Sequence, residues 1–387
     1  MKNRGNKFRF FDRISQGHFI SRPNRFLIRC NLDDRTVSAF LPNPGRLQEL
    51  LLPGRRVYLV EEDPRDRKTQ VTAVAVEKEG HPIMLHTHRT NAVARYLLQM
   101  RKIPGLEGAR IIKSEIQMGR NRFDFLLRKG DKNILLEVKS CTLVGKRVAL
   151  FPDAITERGA RHLKELVRFS EEGMKAAILF VVHWPFAEVF MPDYHTDLNF
   201  SQTLLGVRNR IKVIPVSVKW NQDLSLSSEV RLLHIPWHYI EQEAKDRGSY
   251  LLLLELKRKG SINVGKLGKV PVRKGFYIYV GSAMTNLSKR MERHRHLRKR
   301  HHWHIDELRA TAEFRSVLPI RSSSRLECDI AQALSGISEW NILGFGCTDC
   351  SCNTHLFGFG RNPLHSETFH KLLQYFRIDR CLSSYYS

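Results

Sequence analysis

Three hydrophobic patterns in one chain predict a multidomain protein: an N-terminal β-barrel, a central α/β domain and a C-terminal α+β domain. Residues 14–85 carry short strands divided by turn-rich segments. From 111 to 182 near-continuous apolar strands alternate with a helical stretch, the pattern of a sheet buried on both faces. After a polar, charged segment at 241–248, strands return and a strongly basic helical stretch follows them.

Composition bounds the partner. The 387 residues include 64 Lys and Arg against 39 Asp and Glu, a formal charge of +25, and 42% are hydrophobic. That length suits two or three domains with substantial cores. Such an excess of positive charge favours a polyanion, because binding phosphates releases condensed counterions. A basic surface that serves only solubility is the alternative. No apolar run reaches the length of a membrane span, and the basic start of the chain lacks the apolar stretch of a secretory signal. Seven mostly isolated cysteines point to reduced thiols and a cytoplasmic location. No phosphate-binding or dinucleotide glycine fingerprint is present, which disfavours ATP-driven and redox enzymes.

Strands are expected at residues 25–29, 36–40, 56–59 and 71–76, a set that suits a small barrel of the oligonucleotide-binding type. The most distinctive turn there is Pro42-Asn43-Pro44-Gly45-Arg46. A helix is expected from 91 to 99, then strands at 110–114, 123–127 and 134–140, a helix from about 156 to 172, and strands at 177–182 and 211–218. A short helix near 236–243 closes this region. Strands at 250–256 and 275–281, a basic helix through 287–300, and a short amphipathic helix from about 364 complete the reading. The domains are therefore placed at 1–85, 86–244 and 247–387.

Phe123-Asp124-Phe125-Leu126-Leu127 and Ile134-Leu135-Leu136-Glu137-Val138-Lys139-Ser140 flank a Lys-Gly-Asp-Lys turn, and so read as a hairpin. Alternation puts Glu137 and Lys139 on one side of their strand, with Asp124 placed to join them. Glu115, one strand upstream, adds a third carboxylate. Such a set can hold Mg²⁺ or Mn²⁺ through oxygens beside a scissile phosphate, with Lys139 orienting the attacking water. A solvated strand face is the alternative. Downstream, Asp153 or Thr156 can cap the next helix, and Arg158 and His162, four apart, share a helical face near its start. They are phosphate-binding candidates, because helix N-termini attract anions.

Taken together, the Pro-Asn-Pro-Gly-Arg turn, the Phe-Asp-Phe and Glu-Val-Lys-Ser strands, Phe151-Pro152-Asp153-Ala154 and Thr156-Glu157-Arg158-Gly159 resemble the sugar fermentation stimulation protein family over residues 14–242. The resemblance implies an oligonucleotide-binding-type barrel followed by a PD-(D/E)xK nuclease-like domain that associates with DNA. Asp124, Glu137 and Lys139 then fall on the nuclease motif, Glu115 is a further carboxylate, and Arg46 joins Arg158 and His162 as nucleic-acid contacts.

In the second half, tyrosines on neighbouring strands can share a surface, as packing or as chemistry. Residues 289–304 hold seven Lys or Arg, five His and one acid, Glu292, a ridge suited to a phosphate backbone through Arg293, Arg298, Lys299 and Arg300. Gly248-Ser249-Tyr250, Tyr277-Ile278-Tyr279-Val280-Gly281 and His302-Trp303-His304-Ile305-Asp306 resemble GIY-YIG nuclease-like domains over about 247–360. The resemblance carries Tyr250 and Tyr279 onto the motif tyrosines, Arg290 onto the helix arginine, His294 onto an accompanying base and Glu327 onto the metal-binding carboxylate. The strand motifs stand further apart than in compact nucleases of this type, and Tyr-Val-Gly replaces Tyr-Ile-Gly. Cys347, Cys350, Cys352 and His355 offer three thiols and an imidazole for Zn²⁺, though in an unusually tight span.

These readings converge on a DNA-binding protein and metal-dependent nuclease. A non-catalytic DNA-binding regulator of sugar-utilisation genes, built on the same folds, is the second reading, and an RNA-processing factor the third. Oligomeric state is not legible in the sequence.

Overall fold

The computed structural model describes residues 8–61, 69, 71–119, 121–297 and 300–385. Its contacts divide the chain into two compact units, residues 1–193 with 199–237, and residues 194–198 with 238–387. Among the described residues no helix is long and apolar enough to cross a membrane.

The first unit opens with β1 (Ser15–Asn24), β2 (Leu27–Leu32), β3 (Arg35–Phe40), β4 (Arg56–Glu61), β5 (Val71–Lys78) and β6 (His81–Met84). Antiparallel pairing runs β3-β2-β1-β4-β5-β6, and a parallel β3–β5 contact closes the first five into a barrel. The second strand begins two residues later than its expected position, because residues 25 and 26 form the turn out of β1. β1 is mostly polar and exposed on its outer side, which hid it from a search for apolar runs.

Next come α1 (Thr90–Gln99), β7 (Arg110–Met118), β8 (Asn121–Lys129), β9 (Lys132–Cys141), β10 (Leu143–Val144), β11 (Val148–Phe151), α2 (Glu157–Glu171), β12 (Lys175–Val182), β13 (Val189–Pro192), α3 (Leu198–Val207), β14 (Lys212–Trp220) and β15 (Leu226–Leu232). The main sheet has the order β15-β14-β12-β9-β8-β7, with β9, β12 and β14 parallel and β7, β8 and β9 an antiparallel meander. Each face is buried. Ile178, Phe180 and Val182 of β12 pack with Leu163 and Leu166 of α2, while Ala177, Leu179 and Val181 pack with Val93, Ala94 and Leu97 of α1. The turn between β8 and β9 is Gly130-Asp131, with Gly130 in the left-handed region at φ +57°.

The second unit contains α4 (Trp237–Glu243), β16 (Gly248–Leu256), β17 (Gly260–Val264), β18 (Gly268–Val272), β19 (Gly275–Ala283), α5 (Leu287–Arg295), α6 (His304–Thr311), β20 (Glu313–Arg321), α7 (Glu327–Ser335), β21 (Trp340–Asn341), β22 (Leu356–Phe359), α8 (Glu367–Gln374) and α9 (Arg380–Tyr385). Its sheet runs β20-β16-β19-β22-β21. Tyr250, Leu252 and Tyr279 pack on one face with Leu287, Met291 and Leu308, whereas Leu251, Leu253 and Val280 pack on the other with Ile330, Leu334 and Phe369. β16 and β19 pair in register from Gly248–Ala283 to Leu256–Gly275. The separate β17–β18 ribbon between them accounts for the wide spacing of the tyrosine motifs.

One expected element is shorter. α5 stops at Arg295 and His296 is extended at φ −76°, ψ 129°, so the basic helix does not run to 300. At this end Arg309 of α6 donates to the His294 and Arg295 carbonyls at 2.9 and 3.0 Å, taking up acceptors that a longer helix would use itself.

Candidate functional site

Pairing between β8 and β9 runs from Lys129–Lys132 to Phe125–Leu136 and stops at Asp124. Where the ladder ends, Asp124 Oδ2 accepts the Val138 N–H at 2.7 Å, and its other oxygen accepts from Asn91 Nδ2 of α1 at 2.7 Å. One step along β9, Glu137 is 3% exposed. Its Oε1 accepts from Lys139 Nζ at 2.5 Å and from His162 Nδ1 of α2 at 2.7 Å. A carboxylate cannot donate, so the histidine proton is assigned to Nδ1, and Nε2 accepts from Arg158 Nε at 3.3 Å.

The electrostatics separate the two carboxylates. Burial and then the charge of Glu137 push the Asp124 carboxyl above its ordinary range, against the pull of its two donors and Lys139. Burial also acts upward on Glu137, but Lys139 and His162 outweigh it and hold Glu137 below the usual value. Glu137 Oε2 is buried without a hydrogen-bond partner. A buried carboxylate oxygen with no donor is costly, and a cation beside it removes that cost. The donor set (two carboxylates and a lysine) fits a hard divalent cation such as Mg²⁺ or Mn²⁺.

The flanking candidates divide. Glu115 lies between the Ser114–Phe125 and Ile116–Phe123 pairs, opposite Asp124. It is a left-handed residue at φ +53°, and its 63%-exposed carboxylate lies 3.8 Å from Arg122, outside the buried group. His162 is corrected outright: at 2% exposure beneath Glu137 it cannot touch a nucleic-acid backbone, and it positions the carboxylate instead. Arg158 remains exposed at the helix start, where Thr156 caps Gly159 N–H at 3.0 Å. Asn91 was missed, since an isolated asparagine opening a helix has no motif to mark it.

The Pro-Asn-Pro-Gly-Arg turn joins barrel to sheet. Asn43 Oδ1 accepts Gly45 N–H at 2.9 Å, and Arg22 donates to the carbonyls of Asn43, Gly45 and Arg46. A Cβ at Gly45 would lie 2.0 Å from Asp153 Oδ2, so only glycine lets this turn seat on the Phe-Pro-Asp-Ala segment. Burial and Asp193 raise the Asp153 carboxyl to about 6, with Arg22 and Arg46 acting in the opposite direction. Arg46 is exposed and faces this carboxylate.

In the second unit Tyr250 lies opposite Gly281, and Leu252 opposite Tyr279. A Cβ at Gly281 would stand 2.5 Å from the Tyr250 hydroxyl, which explains the glycine of Tyr-Val-Gly. The tyrosine rings are 6.4 Å apart, and Tyr250 Oη is 2.8 Å from His294 Nε2. Burial, the neighbouring tyrosine and Glu327 keep the Tyr250 phenol well above its ordinary pKa, with Arg290 opposing, so it is a neutral donor near pH 7. Arg290 stacks over Trp303 at 4.4 Å, and Ser282 donates to Glu327. Asp306 holds the Arg293 guanidinium at 2.9 and 3.0 Å, and Arg293 donates to the Arg300 carbonyl at 2.7 Å, which anchors a side chain that stays partly exposed. Arg300 is exposed, and Arg298 and Lys299 lie outside the described residues.

The zinc candidates are also rearranged. Cys328, Cys350, Cys352 and His355 bring their ligand atoms within 4.8 Å of one another, and Cys347 is not among them. Cys328, in the first turn of α7, lay too far back in sequence to be grouped with the others.

Residues 20–85 match the family model of the SfsA N-terminal OB domain, 88–223 that of the sugar fermentation stimulation protein RE domain, and 249–377 that of a domain of unknown function, DUF123. A sugar fermentation stimulation protein homolog of Methanothermobacter thermautotrophicus is 37% identical over 204 residues, 52% of this chain and 85% of that protein. A homolog in Methanosphaera stadtmanae is 39% identical over 214 residues, 54% of this chain and 88% of that protein. The solved structure of Pyrococcus furiosus SfsA in complex with Ca²⁺ superposes with a TM-score of 0.55 at 26% identity, covering 59% of this chain and 98% of the other.

Proposed function

The chain belongs to the sugar fermentation stimulation protein family, and from that premise we propose that it binds DNA and hydrolyses phosphodiester bonds at the Asp124/Glu137/Lys139 cluster. The observation that carries this reading is the unpartnered, buried Glu137 Oε2 beside an Asp124 whose carboxyl resists ionisation. Asp124 and Glu137 would hold the cation, which polarises a phosphoryl oxygen and lowers the pKa of a bound water. Lys139, 18% exposed, reaches solvent and is placed to stabilise charge developing on the phosphate. His162 and Asn91 hold the two carboxylates in place. The Ca²⁺ bound by the Pyrococcus relative supports a cation in this family. The barrel, with exposed Arg46, and Arg158 at the start of α2 supply basic contacts for the strand.

The second unit adds a GIY-YIG-like site in which the buried Tyr250 and Tyr279 form the floor, Arg290 neutralises phosphate charge and Glu327 ligates a cation. The convergence of Arg290 and Glu327 on both phenols supports it.

The test uses the full chain with labelled single- and double-stranded DNA and RNA, in Mg²⁺, Mn²⁺ or EDTA, beside Glu137→Ala and Glu327→Ala. Metal-dependent cutting of DNA is the expected result, the share lost in Glu137→Ala belonging to the first unit and any share lost in Glu327→Ala to the second. Salt-sensitive binding without cleavage in any metal would overturn hydrolysis and leave a DNA-binding regulator. Preferential cutting of RNA would move the substrate class.

A further inference from the structure

We propose that Cys328, Cys350, Cys352 and His355 form a zinc site that locks the loop before β22 onto the N-terminus of α7. Cys328 comes from the helix, Cys350 and Cys352 from the loop, and His355 from the residue before β22. Their ligand atoms lie within 4.8 Å of one another, and Cys350 Sγ is 3.5 Å from His355 Nε2. Tetrahedral zinc with thiolate and imidazole ligands separates those atoms by about 3.6 Å, so the group is already close to the geometry the ion requires.

The ends of the loop are tied together, Gly344 N–H to the Asn353 carbonyl and His355 N–H to the Phe345 carbonyl, both at 2.8 Å, but its middle has no regular structure. Gly344 and Gly346 are left-handed at φ +72° and +74°, and between Cys347 and Asn353 there is no helix or strand. A soft, borderline cation matches three thiolates and an imidazole, whereas Mg²⁺ and Mn²⁺ favour oxygen. His355 is 2% exposed, which makes it a rigid ligand. On the far side of the imidazole, Nδ1 lies 3.2 Å from Glu327 Oε1. The two are within ion-pair distance without a formed hydrogen bond, and metal on Nε2 would place the ring proton on Nδ1, on the carboxylate's side.

The site shares Glu327 with the proposed second nuclease site, but its test reads zinc and thiol reactivity rather than cleavage. The full chain is purified without chelator or metal-affinity tag, and its zinc content is measured beside Cys328→Ser, Cys352→Ser and Cys347→Ser. Stoichiometric zinc is expected in the wild type and in Cys347→Ser, and its loss in the other two. Because a ligand variant can misfold, native alkylation mapped by mass spectrometry provides a second measurement on the wild type. Cys328, Cys350 and Cys352 should be shielded until zinc is chelated, while Cys347 reacts at once. Absence of zinc after incubation with ZnCl₂, zinc lost from Cys347→Ser but kept by Cys328→Ser, or a disulfide among the three ligand cysteines would each overturn the proposal.

Discussion

Replacing Glu137 by glutamine tests the cation site without deleting volume. The carboxylate accepts two hydrogen bonds from groups able to carry charge, Lys139 and His162, and bonds of that kind contribute about 1.5–3 kcal/mol each. Glutamine retains one acceptor for His162, which is 3% exposed and cannot turn to water, while Lys139, 18% exposed, can. Removing a buried charge also returns part of its desolvation cost. The metal-free variant should therefore lose only about 1–2 kcal/mol. The metal response should change far more. At a hundredfold excess of Mn²⁺ over its dissociation constant, binding stabilises the native state by about 2.7 kcal/mol. At roughly 2–4 °C per kcal/mol for a unit of this size, that is a rise of about 5–11 °C in melting temperature. Calorimetric melts of the full chain, with and without Mn²⁺, should show this rise in the first unit's transition for the wild type and its disappearance in Glu137→Gln. A variant that kept the wild-type rise would refute the assignment of the cation to Glu137.

Metal binding at this site should weaken on acidification, because a cation must displace the proton that Asp124 retains above the usual carboxylate range; titration calorimetry with Mn²⁺ across acid to neutral pH checks the direction. In the metal-free protein the two carboxylates act oppositely: the raised Asp124 contributes stability at acid pH that is lost as pH rises through its folded pKa, and the lowered Glu137 contributes stability above the ordinary carboxylate pKa that is lost as pH falls. Gly281→Ala forces a Cβ against the Tyr250 ring, an overpacking cost of about 1–3 kcal/mol. Calorimetry should show the second unit melting roughly 2–12 °C lower, with the first unit unchanged. If zinc sits on His355, Glu327→Gln removes the carboxylate facing its second nitrogen, and competition with a chelator should show zinc held about tenfold less tightly.

What the sequence revealed was whatever one local segment determines. The hairpin of β8 and β9 has its turn residues and its apolar strands within about twenty positions, and α2 announces itself through its cap and its amphipathic spacing. The three-stranded sheet of β10, β11 and β13 did not show, because β10 is two residues long and β11 finds its parallel partner about forty positions later. The same limit applies to sites. Asp124, Glu137 and Lys139 lie on adjacent strands and were legible together, whereas Asn91 and Cys328 reach their clusters only through tertiary packing. Periodicity put Arg158 and His162 on one helical face correctly. It could not say that the sheet would cover His162 while leaving Arg158 in water.

The histidines show most directly what packing adds. As isolated residues His162 and His355 invite the roles their chemistry allows, a phosphate contact and a metal ligand. In the fold both are nearly inaccessible, and each sets a ring nitrogen 2.7 or 3.2 Å from a carboxylate on a neighbouring element, Glu137 or Glu327. A glutamate side chain has several rotatable bonds, and a charged one in a partly wet site samples them unless a rigid neighbour selects one. A buried imidazole is such a neighbour, since its ring cannot turn without opening the core around it. The two units have unrelated sheets, yet in each of them one candidate carboxylate faces a buried imidazole. For a group meant to hold a cation at a defined position, that restraint matters more than a further negative charge, because like charges crowded together raise one another's pKa and resist ionisation. Glu115 would supply only such a charge, and the fold leaves it in solvent beside Arg122.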